Sequence, residues 1–382
     1  MLDFTFTEEQ NMIRSLVRDL GQKEIAPGYK DRVKAQSIPH ELIKKMADIG
    51  LMGLNIAEKY GGQPRDAVTV GIIIEELARY AEDAALLVFY NYGQAGFIML
   101  ATEEVRQEWL PAMARGEKMV LVAATEAEAG SDLGSLKMTA RKDGDHYVLN
   151  GEKNRVSFAY QGQATVVLAK TEPSSRRITP FLVPLDLPGI SLARINDMGV
   201  ESTSAGIVSF EDVRIPRKYL LGDEEGKGFV ETMRAFDVNR VFLALMAMAK
   251  AEISLEETCD YAKQRVQFGK PIARFEAVSF KLAEAATYIE LGKWLCYRAL
   301  WMKDKGIRHS KESAMVKWWC HKKAFDIIHE CLLTHGHYGY GKDLPFEQRL
   351  RDVVGGQIGD GTPEIMKLVI ARDMLGREFL PY

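Results

Sequence analysis

Over the first 117 residues the apolar positions recur with a helical period. Met12, Ile13, Leu16, Val17 and Leu20 form one stripe, and Thr7 with Gln10 just before it makes the capping-box pair that opens a helix. The same spacing predicts helices over about 39–49, 67–101 and 103–115, with Gly61, Gly62 and Pro64 separating the first two. Between about 118 and 218 the period changes. Runs at Val120–Ala123, Thr165–Ala169, Phe181–Val183 and Ile207–Phe210 are separated by the turn pairs Asp143-Gly144 and Asn150-Gly151, which predicts a small antiparallel β-domain. From about 225 onward helical spacing returns. Val278, Leu282, Ala285, Ile289, Gly292 and Cys296 share one face, and another long helix is expected over 311–334. The expected fold class is α+β: an N-terminal helical domain (1–117), a middle antiparallel β-domain (118–220) and a C-terminal long four-helix bundle (221–382) whose faces bury one another or a second subunit.

Composition narrows the function. The 382 residues carry 50 Lys and Arg against 53 Asp and Glu, a net charge of −3 that gives no positive field for a nucleic-acid partner. Cys259, Cys296, Cys320 and Cys331 make no Cys-x-x-Cys pair and no disulfide framework, which fits a reducing compartment. Asp3, Glu8 and Glu9 stand where a signal peptide would be basic and then apolar. No apolar run approaches about 18 residues, so an unexported, cytoplasmic protein without membrane insertion is expected.

Three glycine-containing segments are candidate chemistry. Thr125-Glu126-Ala127-Glu128-Ala129-Gly130-Ser131-Asp132 follows a predicted strand and offers hydroxyls and amides to a polar ligand, or is an ordinary turn. Arg265-Val266-Gln267-Phe268-Gly269-Lys270-Pro271 combines a guanidinium suited to pyrophosphate with an aromatic suited to stacking, or simply joins two helices. Gly355-Gly356-Gln357-Ile358-Gly359-Asp360-Gly361-Thr362-Pro363-Glu364 sets four glycines around one carboxylate before a helix that Pro363 starts; the alternative is a C-cap followed by an N-cap, with Asp360 or Thr362 capping. His321, His329, His335 and His337 show no His-x-x-x-His helical pair, so no metal is expected.

In order and separation, these segments resemble the acyl-CoA dehydrogenase family over essentially the whole chain. The resemblance implies FAD and a CoA thioester as ligands. Val122, Ala124 and Thr125 would meet the isoalloxazine, and Ser131 the flavin or the CoA chain. After Asn150-Gly151, where the family usually shows Trp-Ile-Thr, this chain has Arg155-Val156-Ser157; Ser157 keeps a hydroxyl for the flavin, and Arg155 is a departure on its face. Arg265, Gln267 and Phe268 would reach a neighbouring subunit's FAD, implying a homo-oligomer, commonly a tetramer. Of the family's Gln-x-Phe-Gly-Gly only Gly336 remains, and Thr362 and Glu364 complete the cofactor set. Asp237, Arg240 and Arg372 match positions that hold CoA, Asn91 and Gly359 positions beside the acyl group, and electron-transferring flavoprotein is the implied acceptor.

The family's base precedes Gly-Thr or lies on an earlier helix. Here those positions are Asp360 and Asn239, so Asp360 is the available acid, and burial beside an acyl chain would raise its pKa toward the working range. Aspartate is one methylene shorter than glutamate, and Gly359 opens room beside the thioester where straight-chain members often carry tyrosine. Both features favour a ring or branch at the α-carbon. The combination resembles the cyclohexane-1-carbonyl-CoA dehydrogenases. A relative class performs 1,4-elimination on cyclohex-1-ene-1-carbonyl-CoA with an acid near position 91, which is Asn91 here, and an amide is no base. Short- or branched-chain acyl-CoA oxidation, nitroalkane oxidation on the same fold and a non-catalytic binder are the alternatives.

Overall fold

The Thr7–Gln10 pair closes reciprocally. Gln10 N–H donates to Thr7 Oγ1 and Thr7 N–H to Gln10 Oε1, each at 3.1 Å, and helix α1 (Glu8–Leu20) follows. The computed structural model describes residues 4–222 and 224–380. After α1 come α2 (Tyr29–Ala35), α3 (His40–Asp48), α4 (Ala67–Tyr80), α5 (Glu82–Ile98) and α6 (Glu103–Ala114).

The 67–101 stretch, expected as one helix, is two. At Ala81 the chain is extended (φ −156°, ψ 112°) because the next two residues are buried acids that open a new helix. Asp83 accepts from its own neighbour Ala84 N–H (2.8 Å) and pairs with Arg32 (2.6 and 3.1 Å), while Glu82 pairs with Lys250 (2.7 Å). Both α4 and α5 are buried almost all round, which explains their weak polar face: they lie between the rest of the chain and the C-terminal helices.

The middle segment forms two sheets. One has the order β1 (Val120–Ala123), β4 (Ala164–Ala169), β5 (Thr179–Pro184), and the other β2 (Thr139–Asp143), β3 (His146–Val156), β7 (Gly206–Pro216), β6 (Ile190–Arg194). All pairs are antiparallel except β1–β4, which run parallel. Asp143-Gly144 lies at the β2–β3 hairpin as expected. Asn150-Gly151 is not a turn but a bulge inside β3: Gly151 takes φ 141°, the register to β7 slips there, and Asn150 Oδ1 accepts from Asp212 N–H at 2.9 Å.

The C-terminal part packs α7 (Gly228–Gln264) against α8 (Glu276–Asp304) and α9 (Ser310–Thr334), with the short hairpin β8 (Val266–Gln267) and β9 (Lys270–Pro271) between α7 and α8. The predicted face of α8 is buried at Ala285, Ile289, Gly292 and Cys296. After α10 (His337–Tyr340), α11 (Phe346–Ile358) and α12 (Pro363–Leu375) both pack on α9. Gly355 and Gly356, the first two glycines of the cluster around Asp360, are helical residues of α11; a Cβ at Gly356 would collide with the buried His321 ring, so close packing selects the glycine. Among the described residues no helix is long and apolar enough to cross a membrane.

Candidate active site at the junction of α5, α7 and α9

The turn between α11 and α12 presents Asp360. Gly359 ends α11, Asp360 takes φ 54° and Gly361 φ 112°, and Thr362 caps α12 through a bond from Ile365 N–H to its Oγ1 (3.4 Å), with Pro363 at the first helical position. The cap is therefore Thr362, and Asp360 is left in a conformation unfavourable for a non-glycine residue with no capping work to do. Its Oδ2 is buried without a hydrogen-bond partner.

Two buried cations hold this turn by its backbone. Arg240 Nε donates to the Asp360 carbonyl (2.9 Å) and its Nη1 pairs with Asp237 (2.9 Å), whose other oxygen accepts from Ser310. Lys317, fully buried on α9, donates to the carbonyls of Gly356 and, at 3.3 Å, Gly361. Burial pushes the Lys317 ammonium down to about 8 against the favourable charge of Asp360. Burial raises the Asp360 carboxyl above its ordinary value, opposed by the charges of Lys317 and Arg240. His321, one turn along α9, is driven well below its ordinary value by burial and by Lys317, so it is neutral; its Nδ1 meets the Lys317 carbonyl at 2.8 Å.

Helix α5 brings Tyr90 close enough to feel the Asp360 charge. Tyr90 O–H donates to Ser157 Oγ (2.8 Å), and burial, with the Asp360 charge adding to it, pushes the phenol up to about 12. Asn91 is buried and donates through Nδ2 to the Met52 carbonyl. Gly359 leaves room at this turn: a Cβ there would meet only the Gly355 carbonyl, at 3.6 Å.

The other expected positions fall into three groups. Val122, Ala124, Thr125 and Ser131 share one segment, and Asn154 N–H donating to the Thr125 carbonyl (2.8 Å) ties it to the end of β3 that carries Ser157. Thr125 and Ser131 are exposed, and a Cβ at Gly130 would find nothing nearer than Thr125 at 3.9 Å. Hydroxyls of this kind around an open glycine fit a flavin edge. Glu126, in the middle of the segment, is not free for a ligand: it accepts from Lys137 N–H (2.6 Å), Met138 N–H (3.0 Å) and the fully buried Lys153 (2.8 Å). Arg155 takes φ 54° and its guanidinium turns to Asp197 (2.7 Å).

The Arg265–Phe268 group lies apart. Phe268 (φ 50°) and Gly269 (φ 74°) form the hairpin tip, Arg265 and Gln267 are exposed, and the Phe268 ring is 93% exposed. Arg265 follows Arg240 by 25 residues of α7, roughly 37 Å of helix, so the hairpin does not join its own chain's Asp360 cluster. Gly336 (φ 62°) ends α9 beside His335, which is buried against Tyr261 and Phe346. Glu364 is exposed on the first turn of α12 and Arg372 on the last.

Sequence reasoning missed Lys317, Tyr90 and the Glu126–Lys153 pair. Lys153 had a signal, since it occupies an inward position on β3; Lys317 had none, being one lysine on a long helix.

Models described as the N-terminal, middle and C-terminal domains of acyl-CoA dehydrogenase match residues 7–117, 122–213 and 226–375. A 3-(aryl)acrylate reductase of Clostridium sporogenes is 36% identical over 97% of this chain and 99% of its own length. An acyl-CoA dehydrogenase of Bacillus subtilis is 37% identical over the same shares. The CarC subunit of an Acetobacterium woodii caffeyl-CoA reductase–Etf complex is 34% identical over 97% and 99%. A solved acyl-CoA dehydrogenase from Geobacillus kaustophilus superposes with a TM-score of 0.94 at 34% identity, covering 98% of this chain and 100% of the other.

Proposed function

The chain belongs to the acyl-CoA dehydrogenase family and is an FAD-dependent oxidoreductase acting on CH–CH groups of acyl-CoA thioesters, and we propose that its substrate is alicyclic, cyclohexane-1-carbonyl-CoA being converted to cyclohex-1-ene-1-carbonyl-CoA with Asp360 as the base. The observation that carries this reading is the Asp360 turn: a buried, unpartnered Oδ2 on a backbone that two cations clamp.

Asp360 Oδ2 takes the α-proton. Its raised carboxyl pKa makes it a stronger base than an exposed aspartate, and the Lys317 and Arg240 charges favour its ionised form against that burial. Arg240 and Lys317 also fix the carboxylate's backbone, so that a short side chain still meets the α-carbon in one geometry. The room beside Gly359 accommodates the ring. Val122, Ala124, Thr125, Ser131 and Ser157 would hold the flavin ring, with Thr362 and Glu364 beside it; FAD supplies the two-electron acceptor for the β-hydrogen. Because Arg155 is engaged by Asp197, it is not required to cover the flavin. Asp237 and Arg240, which pair with each other, would hold the CoA chain together with Ser131 and Arg372.

The exposed Phe268 hairpin, out of reach of its own chain's site, supports a homotetramer in which Arg265, Gln267 and Phe268 complete a neighbour's FAD site together with Gly336. The Etf-complexed relative supports electron-transferring flavoprotein as acceptor. Anaerobic addition of cyclohexanecarbonyl-CoA, with butyryl-CoA as comparison, tests the substrate. Bleaching of the flavin band by the cyclic thioester, with the product double bond next to the carbonyl, is the expected result. Bleaching by butyryl-CoA alone overturns the alicyclic assignment and leaves the family intact.

A further inference from the structure

We infer that Tyr90 is a positioning residue for the flavin: its phenol holds the Ser157 hydroxyl by the oxygen, so that the serine proton is kept for the cofactor. The inference rests on the placement of Ser157 beside the flavin ring proposed above and deepens it. Along α5 every residue is buried except Tyr90 and Gly96, and Gly96 has no side chain to offer. Tyr90 is therefore the one side chain of this helix that keeps accessible surface, and its hydroxyl is spent on Ser157 Oγ, at 2.8 Å. Its ring is held edge-on by Phe89 (5.0 Å) and by Phe158 (5.4 Å), the residue that follows Ser157.

The backbone around Ser157 is fixed on both sides. Arg155, two residues before it, and Phe158, next after it, take φ 54° and 60°, a region that residues other than glycine seldom adopt, and Phe158 N–H donates to the Thr203 carbonyl. Strained backbone of this kind clusters at ligand and active sites. A serine hydroxyl has one proton and can turn it to any acceptor in reach. With Tyr90 donating to its oxygen, Ser157 Oγ makes no other hydrogen bond among the described residues, and its proton is left for a ligand. Burial, with the Asp360 charge adding to it and Ser157 opposing, pushes the phenol up to about 12, so Tyr90 remains a neutral donor at any working pH. A hydroxyl that accepts one hydrogen bond donates the next more strongly. A donor set in place before the reaction begins favours the electron-rich reduced flavin over the oxidised one. Tyr90 thereby promotes flavin reduction by acting through Ser157.

The test is a double-variant cycle on the FAD-loaded enzyme: Tyr90→Phe, which keeps the ring and removes only the O–H, Ser157→Ala, and the two together. The readouts are the reduction potential of the bound flavin, titrated against a reference dye, and the position of its visible absorption bands. Tyr90→Phe is expected to weaken flavin reduction about three- to tenfold, tenfold being about 30 mV for a two-electron couple, and to add nothing once Ser157 is replaced. An unchanged potential in Tyr90→Phe, or the same shift with and without the serine hydroxyl, overturns the inference. If Ser157→Ala itself leaves the potential unmoved, the serine does not meet the flavin, and the placement beneath the inference falls with it. Because no thioester is present, none of these outcomes depends on which acyl group the enzyme takes.

Discussion

Glu126→Gln is expected to destabilise the enzyme and strip its flavin, in a manner that pH partly reverses. In the native chain Glu126 gathers two backbone N–H donors and Lys153, which has no exposed surface and whose other acceptor is the Ala124 carbonyl at 3.0 Å. Desolvation brings Lys153 from 10.5 to about 8 even with Glu126 raising it, a difference of about 3 kcal/mol. Glutamine keeps the shape and one acceptor oxygen but removes the anion, leaving a buried ammonium without a counter-charge. Breaking a buried pair in this way costs about 3–5 kcal/mol at neutral pH, a fall in the thermal midpoint on the order of 5–10 °C.

The sign of the pH dependence follows from the depressed lysine. Between about 8 and 10.5 the unfolded chain holds more protons at Lys153 than the folded one, so its cost fades as pH rises. The variant's deficit relative to wild type should therefore shrink as pH is raised from 7 to about 9.5, because a neutral lysine no longer needs the anion. Differential scanning fluorimetry across that range, with the 450 nm to 280 nm absorbance ratio for flavin retention, reads both effects. A deficit that does not change with pH, or a variant as stable as wild type, would refute the assignment of Glu126 as the anchor of this loop. Lys153→Met should cost less, since Glu126 retains its two backbone donors.

Other outcomes follow from the same geometry. Lys317→Met removes a cation beside Asp360, so the acid limb of kcat/KM against pH should move to higher pH, while steady-state flavin content is retained; an unmoved limb contradicts the electrostatic role. Gly356→Ala should lower stability by about 1–3 kcal/mol in urea unfolding, because the methyl meets the buried His321 ring. Phe268→Ser should shift sedimentation toward smaller species and lower FAD occupancy, without changing the far-ultraviolet dichroism of the subunit.

Much of this architecture was readable from periodicity alone, because its signals are local. The capping box at Thr7, the strand Val120–Ala123 and the buried face of α8 follow from spacing within a few residues. Features set by distant partners were not legible. Nothing near Ala81 marks the break between α4 and α5; it depends on Arg32 and Lys250, far along the chain, receiving Asp83 and Glu82. Asn150-Gly151 has turn chemistry and is a bulge because Asp212 pairs with it across the sheet. At the site, the glycine cluster pointed to Asp360. Its clamps, Lys317 and Arg240, act on backbone carbonyls that carry no sequence signature.

The central claim is that Asp360 is the base, and anaerobic stopped-flow absorbance of wild type and Asp360→Asn, matched for flavin and mixed with cyclohexanecarbonyl-CoA, tests it most directly. Bleaching in the wild type and a rate lower by about 10²–10⁴ in the variant, with flavin and thioester still bound, is the predicted result. A variant that bleaches at a near-normal rate would contradict it.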